Sequence, residues 1–143
     1  MLKGVSPLIS PELIKLLMEM GHGDEIVIAD GNFPSASVAR RLVRADGLGG
    51  AALLDAVLAL FPLDQYVEKP AALMAVVPGD PYQPDIWDEY RTVIQHHEPG
   101  FKDFEMVERF AFYDRARQAY AVLASGEMAL YANIILKKGV NKA

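Results

Sequence analysis

The sequence contains no cysteine, which excludes a disulfide framework, a thiolate metal site and a cysteine nucleophile, and points to a reducing compartment such as the cytoplasm. It also lacks a basic excess: 14 Lys and Arg stand against 19 Asp and Glu, a formal net charge of -5. Nucleic-acid binding needs clustered cations to neutralise phosphates, and Lys137-Lys138 is only a pair, so no nucleic-acid partner is expected. No apolar run reaches membrane-spanning length, and Pro7, Pro11, Glu12 and Lys15 interrupt the N-terminal apolar stretch before a signal-peptide core forms, so no membrane partner is expected either.

Cofactor signatures are equally scarce. Gly21-x-Gly23 and Gly47-Leu48-Gly49-Gly50 have neither the G-x-G-x-x-G nor the P-loop spacing, and neither carries the lysine of a phosphate loop. His96-His97 lies near the end of a predicted helix, where adjacent side chains point about 100° apart, so it does not read as a metal site. No metal and no coenzyme is expected. Repeats, low-complexity tracts and linkers are absent too, and 143 residues suit one domain spanning the whole sequence.

What the chain does have is apolar mass. Hydrophobic residues make up 52% of it and the mean hydropathy is +0.13, more than a monomer of this size needs, which suggests buried subunit interfaces. Ser10, Pro11 and Glu12 read as a helix start, and Leu13, Leu16, Leu17 and Met20 follow at one-face spacing up to Gly21. Glu25 to Ala29 is a short continuous apolar run of the kind found in strands covered on both faces. Further on we expect a short helix over 35–41, a strand over 42–45, a helix over 51–60, a strand over 72–77 and a helix over 85–97. A strand over 104–107, a helix over 110–118, a strand over 120–123 and a last strand over 130–136 complete the pattern. Alternating helices and apolar strands imply an α/β layered fold. The turn signal at Ser125-Gly126-Glu127 predicts an antiparallel final pair and therefore a mixed sheet.

Few residues stand out for chemistry. His22 lies between Gly21 and Gly23, where a ligand can approach the backbone closely, although a loop imidazole is more often incidental than catalytic. Asp30 ends the first strand, where open α/β sheets gather ligand-binding groups; bracing the following turn is the alternative. Period-two alternation in the last strand sends Tyr131 and Asn133 to one face, as a pair that reads hydroxyls or as the wet face of an edge strand. Arg109 can clamp a ligand oxygen or pair with Glu108 at the surface. Met18, Met20, Trp87 and Tyr90 read as packing residues.

Six segments, in order along the chain, resemble the L-fucose mutarotase branch of the family that also contains the D-ribose pyranases. They are Leu8 to Leu13, Met20 to Ile26, Asn32-Phe33-Pro34, Arg44 to Gly47, Arg109 to Tyr113 and Tyr131 to Val140. The chain departs from the pattern at Gly31 and at Met128-Ala129. The resemblance implies a three-layer α/β/α, RbsD-like fold and a cofactor-free isomerase that interconverts the α and β anomers of L-fucose. It implies His22 as proton donor, Tyr131 in catalysis or binding, and Asp30, Arg109, Tyr131, Ala132 and Asn133 as sugar-binding residues. It also implies a ring-shaped homo-oligomer, often a decamer. Phe33 can cover the methyl group of a 6-deoxy sugar. Other readings are pyranose–furanose exchange of ribose, a non-catalytic sugar-binding accessory of transport, and a purely structural oligomer.

One difficulty is geometric. If 25–29 is extended, His22 and Asp30 are roughly 20 Å or more apart at about 3.3 Å per residue. Either the 21–24 loop folds back over the strand or neighbouring subunits share the site, and the apolar composition favours sharing.

Overall fold

The computed structural model describes residues 1–142. Its first helix, α1 (Pro11–Glu19), begins where expected: the Ser10 hydroxyl accepts the Leu13 N–H at 3.1 Å, Pro11 needs no partner in the first turn, and Leu13, Leu16 and Leu17 bury one face. The other elements are β1 (Glu25–Ala29), α2 (Ser35–Val38), β2 (Leu42–Ala45), α3 (Gly50–Leu58), β3 (Ala71–Met74), α4 (Ile86–His97), β4 (Glu105–Val107), α5 (Arg109–Gln118), β5 (Ala121–Ser125) and β6 (Ile134–Lys137).

The strands form one six-stranded sheet in the order β2-β5-β1-β6-β3-β4. Its two faces are covered separately. One holds Ile26, Ile28, Leu73, Leu123, Ile134 and Leu136 against apolar residues of α1, α3 and α4. The other holds Val27, Ala29, Ala72, Val122 and Ile135 against Phe112 and Ala116 of α5 and Val38 of α2. Helices on both faces of a mixed sheet make the expected three-layer α/β/α arrangement, and explain why β1 and β3 read as continuous apolar runs.

Two expectations about the C-terminal strands need correction. First, β5 and β6 are not a hairpin: β1 lies between them, parallel to β5 and antiparallel to β6. The tightness at Gly126 serves a different contact, since a Cβ there would collide with the Asp46 carbonyl oxygen. Second, β6 begins at Ile134 rather than Leu130, because Tyr131 takes a left-handed backbone with φ 56° that cannot continue a β ladder.

The antiparallel course of β6 positions the site. Ile134, at its amino end, pairs with Ile28 and Leu73, so the segment just before it meets the carboxyl ends of β1 and β3.

Candidate active site

At that edge a cleft of about 280 Å³ is lined by Asp30, Asn32 and Phe33 after β1, Met74, Val77 and Asp80 after β3, Arg109 and Tyr113 of α5, and Leu130, Tyr131 and Asn133 before β6. Asp30 is only 5% exposed. Its Oδ1 accepts the Asn32 N–H at 3.0 Å, its Oδ2 accepts the Ala132 N–H at 3.3 Å, and its own N–H donates to Asn133 Oδ1 at 2.7 Å. Burial pushes the Asp30 carboxyl above the ordinary carboxylate range, against the hydrogen bonds from Asn32, Ala132, Phe33 and Asn133. Asp30 thus braces the turn and also lines the cleft. Asn133 accepts the Asp30 N–H through its Oδ1 and lines the cleft beside it.

Arg109 is not the partner of Glu108. The Glu108 carboxylate caps α5 instead, accepting the Phe110 and Ala111 N–H groups at 3.0 Å each. Arg109 Nε donates to the Tyr113 hydroxyl at 3.2 Å, its guanidinium carbon lies 5.6 Å from the Tyr113 ring centroid, and the residue lines the cleft. The pairing of Tyr131 with Asn133 also holds, for a different reason than strand alternation. The left-handed turn at Tyr131 brings its phenol over the cleft, where the hydroxyl donates to Asp80 Oδ2 at 2.8 Å. Tyr82 stacks on the Tyr131 ring at 6.1 Å between centroids.

Two residues that read as packing hold this segment from beneath. Trp87 Nε1–H donates to the Tyr131 carbonyl at 2.8 Å, and the buried Tyr90 hydroxyl donates to the Ala132 carbonyl at 2.8 Å. Asp80, Tyr113, Met74 and Val77 are cleft residues that sequence reasoning missed. Asp80 sits in a Pro- and Gly-rich loop whose composition marks a turn but no role.

His22 is not in this cleft. It precedes β1, at the other end of the strand from Asp30. There its Nε2 lies 3.0 Å from Asp64 Oδ1, its ring lies 5.3 Å from that of Tyr66, and its side chain is 46% exposed. Gly23, with φ 87°, completes the turn by donating its N–H to the Lys138 carbonyl at 2.8 Å. The 21–24 loop thus points away from the cleft rather than folding back over β1. Asp64 was also missed, since nothing nearby in the sequence marks it as a histidine partner.

A neighbouring cleft of about 340 Å³ shares Asp30 and is lined by Ser35, Arg44, Asp46 and Ser125. Its cation is paired, with Arg44 donating to both Asp46 oxygens at 2.7 and 3.1 Å, while the buried Ser35 hydroxyl has no hydrogen-bond partner among the described residues.

The model of the RbsD / FucU transport protein family matches residues 3–141. The chain belongs to that family. An L-fucose mutarotase of Actinobacillus pleuropneumoniae serotype 5b is 54% identical over 140 residues, covering 98% of this chain and 97% of that protein. The human fucose mutarotase is 52% identical over 145 residues, 97% and 94% of the two chains. Among solved structures, the fucose mutarotase of Streptococcus pneumoniae in complex with L-fucose superposes with a TM-score of 0.94 at 52% identity, over 99% of this chain and all 100% of that one. Bacillus subtilis RbsD complexed with D-ribose, at 23% identity, has a TM-score of 0.71 over 99% and 100% of the chains and shares the fold. This member of the RbsD / FucU family thus carries its polar cleft where β1, β3 and the lead-in to β6 converge, an edge at which α/β sheets bind ligands.

Proposed function

We propose that this chain is an L-fucose mutarotase, an isomerase that interconverts the α and β anomers of the free sugar, with residues 1–143 acting as one domain. The observation that carries the reading is the cleft itself. Asp30, Arg109, Tyr131 and Asn133 offer acceptors and donors to hydroxyls, while Phe33, Met74, Val77 and Leu130 supply an apolar wall suited to a 6-deoxy methyl group. Relatives bearing the mutarotase name match nearly end to end.

Mutarotation moves only protons and one C–O bond. The anomeric hydroxyl gives up its proton as the ring oxygen receives one, C1–O5 breaks, the aldehyde turns about its bond to C2, and the ring recloses on the other face. The reaction is redox-neutral, and positioned acid–base groups contribute about 10²- to 10⁴-fold. In this reading His22 donates the proton to the ring oxygen, oriented by Asp64. Asp30, Arg109, the Ala132 backbone and Asn133 hold the sugar, and Tyr131 meets the anomeric hydroxyl.

Because His22 and Asp30 sit at opposite ends of β1, the site is completed by a second copy of the chain. We place the enzyme in a ring-shaped homo-oligomer, a decamer in keeping with the family resemblance. Exposed Met18, Met106, Phe110, Met128 and Leu130 offer apolar surface for subunit contacts. The cysteine-free composition suits a cytoplasmic enzyme.

The test is proton NMR saturation exchange on equilibrated L-fucose, D-ribose and D-galactose. Transfer between the α and β anomeric signals of L-fucose should accelerate in the presence of the protein. Enhanced furanose exchange of ribose without that effect would make it a pyranase, and no acceleration on any sugar would overturn the enzymatic reading. Full activity of a strictly monomeric preparation would overturn the shared site.

A further inference from the structure

We propose that Tyr131 and Asp80 act as one proton-accepting pair: the Tyr131 hydroxyl takes the anomeric proton of the sugar while passing its own to Asp80. This inference rests on the mutarotase reading and supplies the base that the reading requires.

The hydrogen-bond directions carry the argument. Asp80 is fixed by its own loop. Its N–H donates to the Val77 carbonyl at 3.1 Å, Gly79 turns with φ 88°, and Asp80 Oδ1 accepts the Tyr82 N–H at 2.9 Å. The other oxygen, Oδ2, receives the Tyr131 hydroxyl proton at 2.8 Å. The phenolic oxygen in turn accepts the Val77 N–H over a long 3.4 Å. Tyr131 has therefore already committed its single proton, and toward the cleft it presents a lone pair. A sugar hydroxyl that meets it must donate, as the anomeric hydroxyl does when the ring opens.

The other lining groups do not fill this role. Arg109 is a cation with only donors. The Asn133 carboxamide is no base at neutral pH, and Tyr113 already accepts from Arg109. Both Asp30 oxygens accept backbone N–H groups, which fits an anchor for hydroxyls on the ring. The Asp80 carboxyl, held below the ordinary carboxylate range by the Tyr82 N–H and the Tyr131 hydroxyl, is ionised at neutral pH, and its Oδ2 is the atom the Tyr131 proton already faces.

The step balances. The O1–H bond breaks as the proton moves to Tyr131 Oη, and the former Oη proton moves to Asp80 Oδ2. C1=O1 forms as C1–O5 breaks, and O5 takes a proton from the imidazolium of His22. Tyr131 is neutral before and after, Asp80 ends neutral, and reclosure reverses each transfer. Tyr131 is the catalytic residue in this scheme because it touches the sugar. Asp80 is a positioning residue that acts through it, fixing the phenol and taking up its proton.

The experiment compares anomer exchange by NMR in wild type, Asp80→Asn, Tyr131→Phe and the double variant, with folding followed by circular dichroism and L-fucose affinity by saturation-transfer difference. We expect Asp80→Asn to lower kcat roughly 10²-fold, with KM and affinity within about threefold of wild type, as for loss of a general base. Adding it to Tyr131→Phe should cost less than about twofold more, because the two residues act as a unit. A folded Asp80→Asn variant with wild-type kcat, or one whose defect lies wholly in KM, would overturn the proposal, as would losses that simply multiply in the double variant. Wild-type protein silent on L-fucose would instead sink the mutarotase reading, and with it the need for a base.

Discussion

Trp87 Nε1–H donates to the carbonyl of Tyr131 at 2.8 Å, pinning the one non-glycine residue among those described that lies in the left-handed backbone region, at φ 56°. Such a conformation costs a bulky residue on the order of 1–2 kcal/mol, and tertiary contacts sustain it. Three residues along the same helix face, Tyr90 holds the next carbonyl, Ala132. With both carbonyls drawn down toward α4, the Ala132 N–H faces Asp30 and the Tyr131 phenol stands over the cleft. A packing helix thereby sets the geometry of a cleft segment that lies more than 30 residues later in the chain.

Trp87→Phe tests this control. The ring is largely replaced while the N–H is lost, so stability should fall by roughly 1–2 kcal/mol for one hydrogen bond and some packing. If the bond orients the sugar-binding segment, KM for L-fucose should rise several-fold as well. Urea melts and exchange titrations measure the two effects; lost stability with an unchanged KM would reduce Trp87 to a packing residue.

Gly50 makes a second, sharper case. It opens α3, where Gly→Ala normally helps a helix by at most about 1 kcal/mol. Here a Cβ would run into the Tyr90 hydroxyl, and overpacking of a rigid core costs about 1–3 kcal/mol. The steric effect wins, so Gly50→Ala should lower the unfolding midpoint and weaken fucose binding together by displacing Tyr90 from Ala132. Combining it with Tyr90→Phe should recover part of the strain but not the binding. A stabilised Gly50→Ala protein would show that Tyr90 moves aside without consequence.

The parts of this molecule that were legible in sequence are those with local causes. The cap and apolar face of α1, the covered run of β1 and the bounds of β2 follow from neighbouring residues. The strand order does not: β1 inserts between β5 and β6, so a turn signal that suggests a hairpin leads elsewhere. The strand expected over 130–136 failed for a related reason, since its apolar alternation is real but Trp87, more than 40 positions away, draws Tyr131 out of the ladder. In the site, resemblance singled out His22, Asp30, Arg109 and Tyr131 to Asn133. The geometry gathers all but His22 and Ala132 into one cleft, with the buried Ala132 N–H bracing Asp30 from behind. Asp80 and Asp64 stayed invisible because the contacts that bring them to Tyr131 and His22 are made by tertiary folding, and Tyr113 because helix spacing alone does not say which face meets the cleft.

His22→Asn should slow exchange by about 10²- to 10⁴-fold if the imidazole is the proton donor, with folding intact because the side chain is half exposed. Its partner gives a separate signature. Burial pulls the Asp64 carboxyl up, but the Tyr66 N–H, His22 and Lys137 together hold it below the ordinary value. A depressed folded pKa means the ionised form stabilises the fold. That contribution is complete above the unfolded value of about 3.9 and is lost as pH falls through the lower folded one. Melting temperatures of wild type should therefore drop below about pH 4 more steeply than those of Asp64→Asn. Parallel curves would mean the pair adds nothing to stability.

Sharing of the site between copies has its own arithmetic. His22→Asn spoils the donor and leaves the cleft, whereas Asp30→Asn spoils the cleft and leaves the donor, so each homogeneous variant should be nearly inactive. When the two are unfolded together, refolded and reassembled, a site that draws His22 from one subunit and Asp30 from another is intact in roughly a quarter of random pairings in a symmetric oligomer. Exchange should then recover toward about that fraction of the wild-type rate. If both residues served the same subunit's site, every chain would carry one defect and no mixture would recover anything. Recovered activity therefore requires donation across the interface, and the distance along β1 between His22 and Asp30 is the structural reason to expect it.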